Sequence, residues 1–517
     1  MSIKQPSLAR RMMTGAVLSA VLAAAGCSAV ERAPKSGTKA RAGGTLVVAQ
    51  SSDVNPASFL SSALGNIVLQ DSVFETLSRI DTTTGKPHGV LAKSWDMAPD
   101  MKSMDIRLRE DVTFHSGRPM TSSDVVYSIQ QVLDPENSAR TRPIAGEISR
   151  LEPQGDHGLK LTFKRPLPNI FDVFEVMPIV DKGTFEDYRA GKEVIGTGRF
   201  TWKSWTPGGK ILLEKYAGHR DAGATRLDKI EIQVITDPTA LLVALQSGRV
   251  HYAVGLSPLD AAGLADQPGY AVVESGGSSL SLAFDVTKPP FDDKRVRQAV
   301  HYAIDRERIV KQVEGGLATA TALPWKASTP GYDRTQGGHY TYDPPRAERI
   351  IAETGAKGTS FTVVVPDIPE SIAIFTIVQN NLAAVGLDAK PSTISVTDYD
   401  ERIAKRNARA PAVLMRNGTG FSPASALVTR AELIPDGNMS RFESPEYTDL
   451  VAAVTEAVTP DTQKQSLTDF NAYFLDQAFQ LSLVTRPTLT VRTDDFVGVV
   501  PTDQGFLDVS RSYLTGG

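Results

Sequence analysis

The stretch PPFDDKRVRQAVHYAIDRERIVKQVEGG, Pro289 to Gly316, decides how this chain is divided. Two prolines open it, and neither a continuous helix nor a central strand can run through that point. Asp292 and Asp293 then offer carboxylates to the free N–H groups of a helix start. Val296, Ala299, Val300, Ala303 and Ile304 repeat at the spacing of one buried helical face. Asp305 can cap a second turn, and Gly315-Gly316 supplies a stop. Immediately upstream, Leu280, Leu282 and Phe284 alternate with smaller or polar residues, the pattern of a half-buried strand. A strand therefore runs out, the chain turns, and a capped helix begins new packing.

Working outward, the 517-residue chain is too long for one hydrophobic core, and two or three domains are expected. The formal net charge of -4 gives no nucleic-acid footprint. At the N-terminus, Lys4, Arg10 and Arg11 precede an apolar run from Met12 to Gly26. That run has signal-peptide length and falls short of the roughly 20 residues a membrane-spanning helix needs. It ends in Ala24-Ala25-Gly26-Cys27, which resembles a bacterial lipobox, and Cys27 is the only cysteine. The expectation is a leader over residues 1–26, lipid attachment at Cys27 with acyl chains such as palmitate, and a flexible tether over 27–43. Removing the leader takes three cations and no acid, leaving a net charge of about -7. No later run of 18 apolar residues follows.

Gly44 to Ala49 reads as a first strand, followed by a polar loop and a helical stretch through Ile67, Leu69, Val73, Phe74 and Leu77. From Gly89 to Pro135 the pattern is a strand at Ser103–Leu108, a turn at His115-Ser116-Gly117, and a helix capped by Thr121 or Ser122. Val125, Val126, Ile129 and Val132 line the apolar face of that helix. Phe361–Pro366 and Val413–Arg416 read as further strands, with a helix over Ile372–Leu382. No repeat period is present.

Several of these segments together resemble the family 5 extracellular solute-binding proteins of ABC importers, which include oligopeptide-, dipeptide- and nickel-binding members. The matching motifs are LAKSW (91–95), LREDVTFHSGRPMTSSDVVYSI (108–129), IGTGRF (195–200) with Trp205, and the unit Leu227 to Val254. PFDDKRVRQAVHYAIDR (290–306) and Tyr342-Asp343-Pro344 continue the match, in the same order. The resemblance implies an α/β fold, a two-lobed clamp with mixed sheets, a hinge of two crossings and an inserted α+β subdomain. It places lobe I in 44–70, 195–281 and 489–517, the subdomain in 71–194, and lobe II in 282–488. The crossings then fall near 282–290 and 485–490. It further implies a monomer outside the cytoplasm, held to the membrane by its lipid. Its partners are a peptide or other small ligand, an ABC permease and an ATPase, with no cofactor.

The residues themselves show no catalytic pattern. The seven histidines are scattered without metal-ligand spacing, so neither an enzyme nor a metal site is expected. WTPGGK (205–210) lacks phosphate-loop spacing, and GGSSLS (276–281) is no nucleophile elbow. Peptide-binding members carry acids after a lobe II strand to hold the peptide ammonium, and here Thr419 and Ser422 stand in those places. Either another acid, such as Asp53 or Asp398, takes the role, or the ligand is a sugar, a metal chelate or another polar compound. A solute sensor without transport is the alternative of a different class. The ligand candidates are Asn55, Phe59, Arg142, Ser279, Asn417, Thr419, Phe421 and Thr485.

Overall fold

Two unusually long strands organise the molecule, Tyr270–Phe284 and Gln480–Thr493. The computed structural model describes residues 40–61, 64–509 and 511–516, so Cys27, the leader and most of the tether lie outside the described residues. The two strands are 15 and 14 residues long, against a usual 5 or 6, and at about 3.3 Å per residue each spans roughly 45 Å. They pair antiparallel with each other along most of that length. At one end Tyr252–Val254 joins Gln480–Thr493, and the sheet continues through Thr45–Gln50, Lys229–Val234, Lys210–Lys215 and Phe200–Thr206. At the other end Ala412–Gly418 joins Ser278–Phe284, and Ser360–Pro366 and Asp388–Ile394 follow. Parallel and antiparallel neighbours are mixed, and one sheet of 11 strands passes through both lobes.

The pairing between the two long strands slips between Ser275 and Ser278, opposite Arg486 to Thr488. A second, smaller shift falls between Leu280 and Ser281. Gly276 and Gly277 make the slip possible, with φ of +50° and +141°. A Cβ on Gly276 would sit 2.8 Å from the backbone of Gly505, and one on Gly277 would sit 2.6 Å from the Arg486 carbonyl oxygen. The Pro289-Pro290 turn lies farther on, at the outer end of the strand, where Phe291 stacks on Phe284 with ring centroids 4.4 Å apart. The helix Lys294–Ala303 follows, capped by Asp293 and burying Val296, Ala299, Val300 and Ala303. Prolines interrupt hydrogen bonding visibly in a sequence, whereas a glycine bulge inside a strand leaves the alternation nearly intact.

Three large apolar clusters follow from this layout. One gathers Leu280, Leu282, Phe284 and Val300 with Val363, Ile374, Phe470 and Phe474. A second gathers Leu46, Val48, Ile67, Phe200, Ile230 and Phe506, and it accepts Phe421 from the far side of the cleft. The third lies under the four-stranded antiparallel sheet of Ala92–Met97, Ser103–Leu108, Gly158–Phe163 and Ile148–Pro153. The helix Ser122–Leu133 covers that sheet, held at its start by a capping box between Thr121 and Asp124. Asp124 and Asp181 both pair with Arg118, tying the turn, the helix and the next loop together. Among the described residues no helix is long and apolar enough to cross a membrane.

Candidate functional site

At the crossing, three strands run side by side and set Asn417, Ser279 and Thr485 in one row, each in register with the next. Ser279 is fully buried, and its hydroxyl has no protein hydrogen-bond partner. The Asn417 amide nitrogen and the Thr419 hydroxyl are also buried without a partner, while the Thr419 N–H donates to the Gly277 carbonyl at 3.0 Å. Unpaired buried polar atoms are costly, and a concentration of them marks a place built to receive something. The sequence-derived group Ser279, Asn417, Thr419 and Thr485 is therefore brought together by the sheet register.

Beside this row a cavity of about 160 Å³, room for roughly five waters, separates the lobes. Its wall gathers residues far apart in the chain: Ile67, Arg140, Gly277, Gly418, Gly420, Thr488 and Asp503–Gly505. The Arg140 guanidinium lies over the Phe421 ring, 4.7 Å from its centroid. Among the described residues no carboxylate approaches it within ion-pair distance, and burial together with Arg430 pushes its pKa down to about 10. Arg430 has its own partner, Glu432, so Arg140 is left as the uncompensated charge. The side-chain amide of Gln504, on the same wall, is buried without a partner on either atom. A second cavity, of about 320 Å³, adjoins the first at Asp503 and is walled by Glu274–Gly276, Thr485–Pro487 and Lys326–Ser328. There Arg486 is neutralised by Glu314 and Glu370 at 3.3 and 2.9 Å. Burial pushes Glu314 up to about 6, with Arg486 pulling against it.

The remaining sequence candidates fall differently. Arg142, two residues beyond Arg140, is turned onto the loop carbonyls of Asn137 and Pro135 and holds its own turn together. Asn55 is exposed in the loop after the first strand, locked through its backbone to the Asn66 side chain. Phe59 belongs to the short 3-10 helix Pro56–Ser61, and its side chain lies outside the described residues. Asp53 and Asp398 are both engaged or placed outside the row at Ser279. Asp53 accepts from the Trp205 indole and the Gly208 N–H, and Asp398 is exposed in the first turn of Val396–Ala404. The acid that meets Ser422 comes instead from the subdomain. Asp172 Oδ2 accepts from the hydroxyls of Ser422 and Ser425 at 2.6 and 2.5 Å, and from the Ser422 N–H at 3.2 Å. Lys326 of lobe II pairs with Asp503 of lobe I at 2.5 Å, and Arg165 donates to Thr455 at 3.0 Å. These contacts join lobe II to lobe I and to the subdomain. Among the described residues no three His, Cys, Asp or Glu side chains converge on a common point as a metal site would require.

Sequence reading missed Arg140, Asp172, Asp503 and Gln504. NSARTRP (137–143) presents two arginines with nothing local to choose between them, and Asp503 and Gln504 reach the cleft only because the C-terminal segment folds back over the glycine bulge.

A two-lobed sheet with two strand crossings and a cavity walled by both lobes defines a solute-binding clamp. Residues 86–431 match the family described as bacterial extracellular solute-binding proteins, family 5 Middle, and the chain belongs to that family. Among curated relatives it is similar to heme-binding protein A of Haemophilus influenzae, 26% identical over 69% of this chain and 71% of that one. It is likewise similar to a glutathione-binding protein of Salmonella typhi, 26% identical over 62% of this chain and 63% of the other, just under two thirds of that relative's length. Among solved structures, the fold is that of the periplasmic binding protein DppA from Helicobacter pylori in complex with the peptide STSA. The TM-score is 0.79 at 20% identity, over 92% of this chain and 99% of that one.

Proposed function

We propose that this protein captures a small carboxylate-bearing solute, most simply a short peptide, between its lobes and presents it to the permease of an ABC importer. The observation that carries this reading is Arg140, a guanidinium stacked on Phe421 at the cavity wall with no acid of its own. A ligand carboxylate would supply the missing counter-charge through a paired, charge-assisted hydrogen bond. Ser279, Asn417, Thr419 and Gln504 would serve the ligand's amides. Glutathione and peptides, the ligands named for two of the similar proteins, present both kinds of group. The mechanism is population shift: groups from both lobes meet the solute only when closed, so binding favours closure, and the closed form is what the permease would recognise. In this reading a lipid on Cys27 keeps the monomeric clamp at the outer face of the cell membrane, and the protein itself catalyses nothing.

Native mass spectrometry of the protein purified without denaturant reads the cargo directly. A bound mass in the peptide range supports the proposal. No bound mass, together with no thermal shift from a pool of di- to pentapeptides, refutes the peptide reading. A ligand without any acidic group refutes the role of Arg140.

A further inference from the structure

Near the C-terminus, Val500–Pro501 pairs antiparallel with Leu507–Asp508, and Thr502 to Phe506 form the tip of this hairpin. Its root is fixed: Phe506, Leu507 and Val509 are fully buried, in the apolar cluster that holds Leu46, Val48 and Phe200. The tip has a defined shape. The Gly505 N–H donates to the Thr502 carbonyl at 3.1 Å, and the Phe506 N–H to the Thr502 hydroxyl at 3.0 Å.

From that root the tip reaches three other elements. The Gly276 N–H, at the slip in the first long strand, donates to the Thr502 carbonyl at 2.9 Å. Gly420, in the loop after Ala412–Gly418, lies so close under the tip that a Cβ there would sit 2.1 Å from the Asp503 carbonyl oxygen and 2.9 Å from the Gln504 Cα. Asp503 Oδ1 accepts from Lys326 Nζ at 2.5 Å. Lys326 follows Trp325, which is buried in the other large cluster with Phe470 and Phe474 and donates its indole N–H to Asn471 at 2.8 Å. The ion pair therefore spans two separate cores. Its side chains are 20% and 36% exposed, so water competes for both partners. The same tip walls both polar cavities, Asp503–Gly505 the one beside Arg140 and Pro501–Asp503 the one beside Arg486.

We infer that this hairpin is the latch of the clamp, with Asp503 and Lys326 as positioning residues that hold the two lobes together over the cargo and release them between captures. The inference rests on the clamp reading above and names the element through which cargo and closure are coupled. Rooted in one lobe and seated in the other, the tip leaves Lys326 and Gly420 when the lobes part. Cargo in either cavity packs against the tip and keeps it seated. An ion pair this exposed shifts an equilibrium by about threefold, which biases closure without trapping the cargo.

The test reads the ligand-free full chain, with Cys27→Ser removing the native thiol and spin labels on Thr83→Cys and Gln465→Cys. These exposed positions flank the cavity of about 480 Å³ walled by Gly85 and Lys464, so their separation grows as the lobes part. Pulsed electron-spin distance measurement gives the ratio of long to short separations. Asp503→Asn and Lys326→Met should each raise that ratio about threefold. Asp503→Lys combined with Lys326→Asp restores the pair in reverse and should return the ratio to the parent value. Raising the salt from about 50 to about 500 mM should raise the parent's ratio by a similar factor and leave Lys326→Met unchanged. Gly420→Ala, whose Cβ would press on Asp503 and Gln504, should raise it about tenfold. The inference is overturned if the single charge variants keep the parent ratio, if the reversed pair stays as open as they are, or if Gly420→Ala changes nothing. No ligand is present, so these outcomes do not depend on whether the peptide pool binds, and the peptide reading stands or falls on its own assay.

Discussion

Replacing Arg140 by Met should make the empty protein more stable while removing its capacity to hold cargo. Burial and the proximity of Arg430 push the Arg140 pKa down to about 10. In the unfolded chain the same guanidinium ionises far higher, so the folded state carries a charge it disfavours. Below pH 10 the group is protonated in both states, and the deficit is constant across the physiological range. The depression corresponds to about 3 kcal/mol at 1.4 kcal/mol per pKa unit. The residue as a whole is half-buried, and screening reduces that to about 2 kcal/mol. Loss of the stack on Phe421 returns on the order of 0.5–1 kcal/mol. Methionine keeps the unbranched stem packed, so a net gain of about 1–2 kcal/mol remains. For a folded chain of this size the melting midpoint moves about 1–2 °C per kcal/mol, so the variant should melt roughly 2 °C higher at both pH 6 and pH 8. Scanning calorimetry of the ligand-free protein reads this, and the same scan with the peptide pool should show the ligand-induced rise only in the parent protein. A variant that melts lower when empty would show that Arg140 is a structural residue. A variant that keeps the full ligand-induced rise would show that the carboxylate anchor lies elsewhere.

Other expectations follow from neighbouring geometry. Glu175 is pushed up to about 8 by burial, with Arg79 opposing and Asp172 adding to the effect. Between about pH 4.5 and 8 the folded state keeps a proton that the unfolded chain has lost, so stability falls as pH rises, by up to about 1.4 kcal/mol per unit. Glu175→Gln should flatten that slope and raise the melting midpoint about 3 °C at pH 8 with little change at pH 5; parallel slopes in the two proteins would sink the argument. Removing both hydroxyls in Ser422→Ala/Ser425→Ala leaves Asp172 buried with only the Ser422 N–H of its three hydrogen bonds. Small-angle scattering with saturating peptide should then show a larger radius of gyration than the parent, and an unchanged radius would mean the contact does not hold the clamp shut. Gly276→Ala places a Cβ 2.8 Å from Gly505 backbone at a positive φ, at a cost of about 1–3 kcal/mol. The melting midpoint should fall by a few degrees, and a neutral result would mean the bulge can relax.

Local pattern determined a good deal of this protein. The caps at Thr121, Asp293 and Asp305, the buried face of Lys294–Ala303 and the strand Ser103–Leu108 follow from hydrogen-bonding needs and periodicity that neighbouring residues settle among themselves. The motifs in their order were enough for the two-lobed α/β class. Tertiary structure alone decided where the lobes meet. The prolines at 289–290 are visible locally, whereas the slip of the sheet at Gly276–Gly277 shows only in the fold, where Asp503–Gly505 presses against the strand backbone. It also chose Arg140 over Arg142, two residues apart and chemically identical. One faces Phe421 across the cleft, while the other closes its own loop. The carboxylate that meets Ser422 likewise comes from Asp172, 250 residues earlier in the chain. Charge compensation depends on distance in space, and a sequence records only distance along the chain.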